Sequence, residues 1–259
     1  CSTAWSWTTS SRRWCAWSDG EGASTSDGGA GGSGEGAGTS SDGGQGVGGG
    51  PSPSCEQEPP LDHSGEGTYY AADGSGNCSF PATPSDLLVA AMNHSDYAAS
   101  AVCGACVAIQ GPNGSVKVRI VDQCPECPVG DIDLSPEAFQ SIAALEQGRV
   151  PIRWTYVSCE VAGPISYYFK DGSSEFWMGI QIRNHRTPIA KLEVMNGDGS
   201  FTELPRADYN FFINEAPGGP GPYTFRVTDT LGEVLTDSNI ALVVEGESVG
   251  AAQFGGCIE

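Results

Sequence analysis

The spacing of apolar residues changes period several times along this chain. Across residues 116–120, Val116, Val118 and Ile120 alternate with Lys117 and Arg119. A two-residue period places the aliphatic side chains on one buried face of a strand. That strand is predicted to end at Asp122, where the run QCPECPVG breaks regular structure. Past a second acidic pair, Asp131 and Asp133, the period becomes helical. Ser135 is placed to cap the helix, Pro136 fits the first position, Glu137 suits the dipole, and Ala138, Phe139, Ile142 and Leu145 supply one apolar stripe. Two carboxylates, Asp122 and Asp133, therefore flank one loop.

Short strands are predicted on both sides of this stretch: residues 68–71 in GTYYA, VCGACVAIQ and SVKVRIVD across the turn GPNG, and VPIRWTYVSC. Ser85 is expected to cap a short helix over residues 87–92. From residue 162 onward nearly every segment has strand character, as in ISYYFKDG, FWMGIQIRNH, YNFFIN and PYTFRVTDTLGEVL. IALVVEG is expected to form a last strand. Turns at DG, NGDG, PGGPGP and LGE separate these segments, which is the spacing of an Ig-like β-sandwich. Residues 1–60 show no such period: Trp5, Trp7, Trp14 and Trp17 precede a Gly/Ser/Pro-rich linker. The expected organisation is a leader and linker over 1–60, a small β-barrel over 61–161 and a β-sandwich over 162–259.

Charge and cysteine content narrow the function classes. The formal charge is −20, spread over every segment, and no stretch is basic. Nucleic acid and anionic membrane both require clustered Lys and Arg, so neither is an expected partner. No apolar run approaches the ~20 residues of a membrane span. Ten cysteines point to an oxidising compartment. Cys1, followed by a long tether, fits an acylated anchor and is the single expected route to a membrane; Cys15 offers it a disulfide instead. CGAC and CPEC match zinc-ligand spacing, but six cysteines, Cys78, Cys103, Cys106, Cys124, Cys127 and Cys159, are read as disulfide-bonded, with connectivity left open. Cys55 and Cys257 are expected to join the ends of the folded region. His63, His94 and His185 have no metal or triad spacing, and Asn77, Asn93 and Asn113 each open an N-x-S sequon.

In chemical terms, Asp122 and Asp133 facing one cleft suit general acid–base work on a glycosidic bond. Capping a turn is the other common fate of such residues. Phe176, Trp177 and Tyr209, if exposed, suit stacking on pyranose C–H faces, whereas packing in the core is the commoner fate of such rings. A regular strand would point Phe176 and Trp177 to opposite faces, so exposing both requires a turn after Ser174.

The order strand, Asp122, cysteine-rich loop, DIDLSPEAF resembles the double-psi β-barrel of expansins and loosenins and, more distantly, family 45 endoglucanases. The order KDGSS, aromatic pair, IQIRNH, ADYN resembles the carbohydrate-binding domain of bacterial expansins. The resemblance implies a mostly β protein: a six-stranded double-psi β-barrel followed by an Ig-like β-sandwich, without a cofactor or metal. It implies Thr68, Asp122 and Asp133 as cleft residues, and Phe176, Trp177, Tyr209 and Lys170 as a polysaccharide platform. It further implies a monomer, secreted or anchored at the cell surface, whose partner is a wall polysaccharide: cellulose, xyloglucan or peptidoglycan.

The chain departs from the family pattern in three ways. GTYYA carries no carboxylate to act as a hydrolase base, with Asp73 the nearest substitute. Cys124 stands where many bacterial expansins carry an aromatic residue, and the chain is acidic where many of them are basic. The expected function is nonhydrolytic wall loosening. A glycan-cleaving enzyme using Asp133, an endoglucanase or a peptidoglycan lytic transglycosylase, is one alternative, and a plain carbohydrate-binding module is another.

Overall fold

The computed structural model describes residues 61–256. The Trp-containing leader, Cys1, Cys15, Cys55 and Cys257 lie outside the described residues, as do the expectations attached to them.

Six strands close a barrel: β1 (His63–Tyr69), β2 (Val89–Asn93), β3 (Cys106–Gln110), β4 (Ser115–Cys124), β5 (Ile132–Leu134) and β6 (Val150–Val157). Their order around the barrel is β1-β5-β2-β4-β3-β6. β1 runs parallel to β5 and β2 parallel to β4, and the remaining pairs are antiparallel. Parallel neighbours need crossover connections, and the β4–β5 connection passes strand β1 where Gly130 lies against Gly65. A Cβ on Gly65 would lie 2.2 Å from the Gly130 carbonyl oxygen, so the crossing admits only glycine there. The barrel core gathers Trp154, Phe139, Met92, Ile120 and Leu134, all fully buried, and the Trp154 indole donates to the Gly130 carbonyl at 2.8 Å.

Local signals explain α2 (Pro136–Ile142): the Ser135 hydroxyl accepts from the Ala138 amide, and Ala138, Phe139 and Ile142 are buried. Leu145 falls beyond α2, in a 3₁₀ turn, Leu145–Gln147. The helix expected over residues 87–92 is instead strand β2. It lies between β5 and β4 and is buried at all five positions. A short, wholly apolar run carries no period, and burial on both faces selects the strand. Helix α1 (His94–Tyr97) follows it, capped by Asn93. β4 also continues past Asp122 to Cys124.

The second half stacks two four-stranded sheets. One holds β10 (Phe201–Glu203), β9 (Ile189–Met195), β12 (Tyr223–Asp229) and β13 (Val234–Ile240). The other holds β11 (Phe212–Asn214), β8 (Met178–Arg183), β7 (Ser166–Phe169) and β14 (Glu247–Val249). Tyr167, Phe169, Ile180, Leu192 and Phe225 fill the space between them. Most of IALVVEG is not strand: β13 stops at Ile240, and residues 241–246 turn the chain toward β14.

All six described cysteines of the barrel region are in disulfides, Cys78–Cys103, Cys106–Cys159 and Cys124–Cys127. CGAC therefore splits between two partners, CPEC closes on itself, and none of these sulfurs is left as a thiolate for zinc.

Candidate functional site: a carboxylate row and an aromatic loop

Pairing register aligns the predicted cleft residues. Thr68 on β1 pairs with Asp133 on β5, Asp133 pairs with Ala91 on β2, and Ala91 pairs with Asp122 on β4. Four adjacent strands thus present Thr68, Asp133, Ala91 and Asp122 in one row. The two acids stand two strands apart, roughly 10 Å at the backbone. Ala91 keeps the space between them free of a large side chain.

The two carboxylates are held differently. Thr68 Oγ1 donates to Asp133 Oδ1 at 2.5 Å. Burial pushes the Asp133 carboxyl above its ordinary range; the Thr68 bond and Arg149 oppose that shift, and Glu126 and Asp122 add to it. Asp122 Oδ1 accepts two backbone amides, from Asn77 at 2.7 Å and Gln123 at 2.8 Å. It is both a row member and the cap of its own loop. Asp131, by contrast, is structural: it is buried and accepts the Glu66 amide at 2.8 Å.

Tyr70 and Asn77 also belong to this site, although neither stands out in the sequence as a cleft residue. Tyr70 lies two positions beyond Thr68, and its hydroxyl is buried without a hydrogen-bond partner. Burial and the charges of Asp122, Asp133 and Asp73 all push its phenol upward. The two-residue period of TYY was the available signal. Asp73, the substitute base, is exposed and spends Oδ1 on the Ser75 amide and hydroxyl at 2.9 and 2.5 Å.

On the sandwich, Phe176 is 75% exposed, while Trp177, Tyr209 and Lys170 are half-buried. Phe176 and Trp177 lie in the β7–β8 turn ahead of Met178, which frees them from strand alternation. The Ser174 amide donates to the Trp177 carbonyl at 2.6 Å within that turn. The indole rests against Gly179, where an added Cβ would lie 3.3 Å from both Trp177 Cη2 and Lys170 Cβ. Tyr209 meets Phe211 with ring centroids 5.8 Å apart, and Phe211 meets Tyr168 at 6.2 Å.

Hydrogen bonds join row to rings. Asn77, whose amide holds Asp122, donates its side chain to the Asp208 carbonyl at 3.0 Å and to the Tyr97 hydroxyl at 2.9 Å. Tyr97 also donates to the Asp208 carbonyl, and its phenol is pushed up to about 12, chiefly by burial. Next to Asn77, the Cys78 carbonyl accepts from Gln181 at 2.9 Å and from Asn210 at 3.2 Å. Tyr209 is thus flanked on both sides by residues bonded to the barrel loop that holds Asp122.

Taken together, the closed six-stranded barrel and the sandwich bonded to its rim define a barrel-plus-sandwich protein of mostly β class. A family model described as "Lytic transglycolase" matches residues 89–154. The chain is 34% identical to Expansin-YoaJ of Bacillus subtilis over 72% of its own length and 82% of that protein. It is also 34% identical to Expansin-like protein 2 of Dictyostelium discoideum, of which it spans about half, 49%. The solved structure of a point mutant of the Clavibacter michiganensis expansin, in complex with cellohexaose, superposes with a TM-score of 0.70 at 30% identity. That match covers 76% of this chain and 99% of that one. The chain belongs to the expansin family.

Proposed function

We propose that this chain binds cellulose or a related β-glucan across Trp177, Phe176 and Tyr209 and the row Thr68–Asp133–Asp122, and loosens the packed polymer without cutting it. The observation that carries this reading is the bonded path from Asp122 through Asn77 and Asp208 to Tyr209, which suits one long ligand better than two separate sites. The cellohexaose bound to the Clavibacter protein is a β-glucan of the same class. Phe176 and Trp177 supply apolar faces to sugar rings whose hydroxyls stay hydrated. Lys170 adds a donor at their edge.

Hydrolysis would require a base to activate water, worth ~100- to 10,000-fold in rate. In the row β1 supplies only Thr68; its one carboxylate, Glu66, is paired with Arg149 at 2.6 Å, and Asp73 is committed to Ser75. Loosening then follows from preferential binding of a displaced glucan conformer, which shifts the equilibrium away from the packed one. The three disulfides fit a secreted or surface location.

The matched description "Lytic transglycolase" favours one second reading, glycan cleavage with Asp133 alone as acid and base, a reaction that needs no activated water. Binding is tested by sedimentation with insoluble cellulose. Trp177→Ala is expected to weaken retention about tenfold or more, the scale of losing one well-packed anchor, and unchanged retention would overturn the assignment of the platform.

A further inference from the structure

A cleft of about 230 Å³ opens between barrel and sandwich, lined by Phe80, Pro81, Arg119, Val161, Arg183 and Glu247 among others. None of the row or platform residues lines it, so it is independent of the polysaccharide reading. Its charge is unusual for this chain. Against a net charge of −20 and only 12 Lys and Arg, it has two guanidinium groups on its walls, one from each half of the molecule, and one carboxylate.

Arg119 makes no ion pair or hydrogen bond through its guanidinium among the described residues. Its guanidinium lies over the Phe80 ring, 5.6 Å from Cζ to the centroid, and its Nε is sealed from solvent and unpartnered. The side chain as a whole is half-buried, so the open part of the group is its terminal pair of nitrogens. Across the cleft, Arg183 spends Nε on Gln181 and Nη1 on Glu247 at 2.8 Å, and packs on Tyr168 at 3.6 Å. Its Nη2 has no bond among the described residues. Further basic groups nearby also lack a carboxylate partner: Arg206 donates to the Ser100 and Ile189 carbonyls, and Arg186 to those of Phe254 and Gly255.

A guanidinium fork matches a carboxylate in two parallel hydrogen bonds, and leaving a partly buried one unpaired is costly. We infer that this cleft is a binding site for a small carboxylate with an apolar face, the class of a single uronic acid. Arg119 holds the carboxylate end-on, Arg183 Nη2 reaches it from the other wall, and Phe80, Pro81 and Val161 face the ring. A long polyuronate is disfavoured, because the rest of the surface repels a chain of like charges. The bound sugar would bridge barrel and sandwich.

The test is thermal melting and titration calorimetry of the full chain with galacturonate, with galactose as the neutral control, and with trigalacturonate and polygalacturonate as polymer arms. Galacturonate is expected to raise Tm and galactose to leave it unchanged. Arg119→Gln and Arg119→Lys should each weaken galacturonate binding about 10- to 100-fold, the range for losing a charged, forked hydrogen bond. Because Arg119 lies outside row and platform, both variants should sediment with cellulose like the wild type. Stronger binding of the trimer than of the monomer would assign the site to a chain end, and equal binding to free sugar. An equal response to galactose, an equal shift in the Arg119 variants, preferential binding of polygalacturonate, or the same stabilisation by inorganic sulfate would each overturn the proposal.

Discussion

Asp133 sits where burial and hydrogen bonding pull in opposite directions. Desolvation disfavours its charge, and the Thr68 hydroxyl partly restores it. A carboxyl pushed above its unfolded value binds its proton more readily in the native state, so stability rises as pH falls through that window, and the ionised form at neutral pH is a cost. Asp133→Asn removes that charge and keeps an acceptor for Thr68. Its Tm at pH 7 is therefore expected at or above that of the wild type, even though the row is altered. A clear fall in Tm would show that the ionised carboxylate supports the fold. At this scale the sequence carried much of the site: Thr68, Asp122 and Asp133 could be picked out, and all three share one row. Ala91 could not, because its place is set by β2 lying between β4 and β5, and nothing in LLVAAM reports its neighbours.

At the scale of elements, capping and period were dependable where chemistry is local, as at Ser135 and Pro136. They failed at β2, where tertiary burial on both faces overrode a run that reads equally well as helix. The Phe176–Trp177 pair shows the same dependence on context: alternation forbids double exposure only inside a strand, and the strand starts at Met178. The barrel crossing is set by a pair of glycines invisible to periodicity. Gly65→Ala drives a Cβ against the Gly130 carbonyl, and Gly130 itself sits at φ +88° with the Ser64 carbonyl behind it. The expected cost is roughly 1–3 kcal/mol, read as a Tm drop of several degrees. An unchanged melting curve would mean that the crossing relaxes freely.

For the whole molecule, the decisive contacts join the two halves, and almost all are side chain to backbone carbonyl: Asn77 to Asp208, Gln181 to Cys78, Ser100 to Ala207 and Arg206 to Ser100. Carbonyls carry no residue identity, so the sequence could give the order of barrel and sandwich but not their junction. His185 illustrates this. It looked unassigned in the sequence, yet it is buried at the junction against Gly104, with Nδ1 donating to the Thr187 carbonyl. Burial first, then Arg206 and Arg119, lowers its pKa to about 4. Below 6.5 the unfolded chain takes up a proton that the native junction refuses. Stability is therefore lost as pH falls from about 6.5 toward 4, by an amount on the order of 3 kcal/mol from this group. His185→Gln should flatten the dependence of Tm on pH across that window, and an identical slope would remove His185 as the cause.

The central claim is that the Asp133 row acts on a polymer without cleaving it. The direct measurement is a paired assay of wild type and Asp133→Asn on a cellulose-rich wall under load, with extension and released soluble sugar, including anhydro ends, quantified in the same sample. The account predicts extension by the wild type, loss of extension in Asp133→Asn, and no sugar release by either. Soluble products that appear with the wild type and vanish with Asp133→Asn would contradict it and make the chain a glycan-cleaving enzyme.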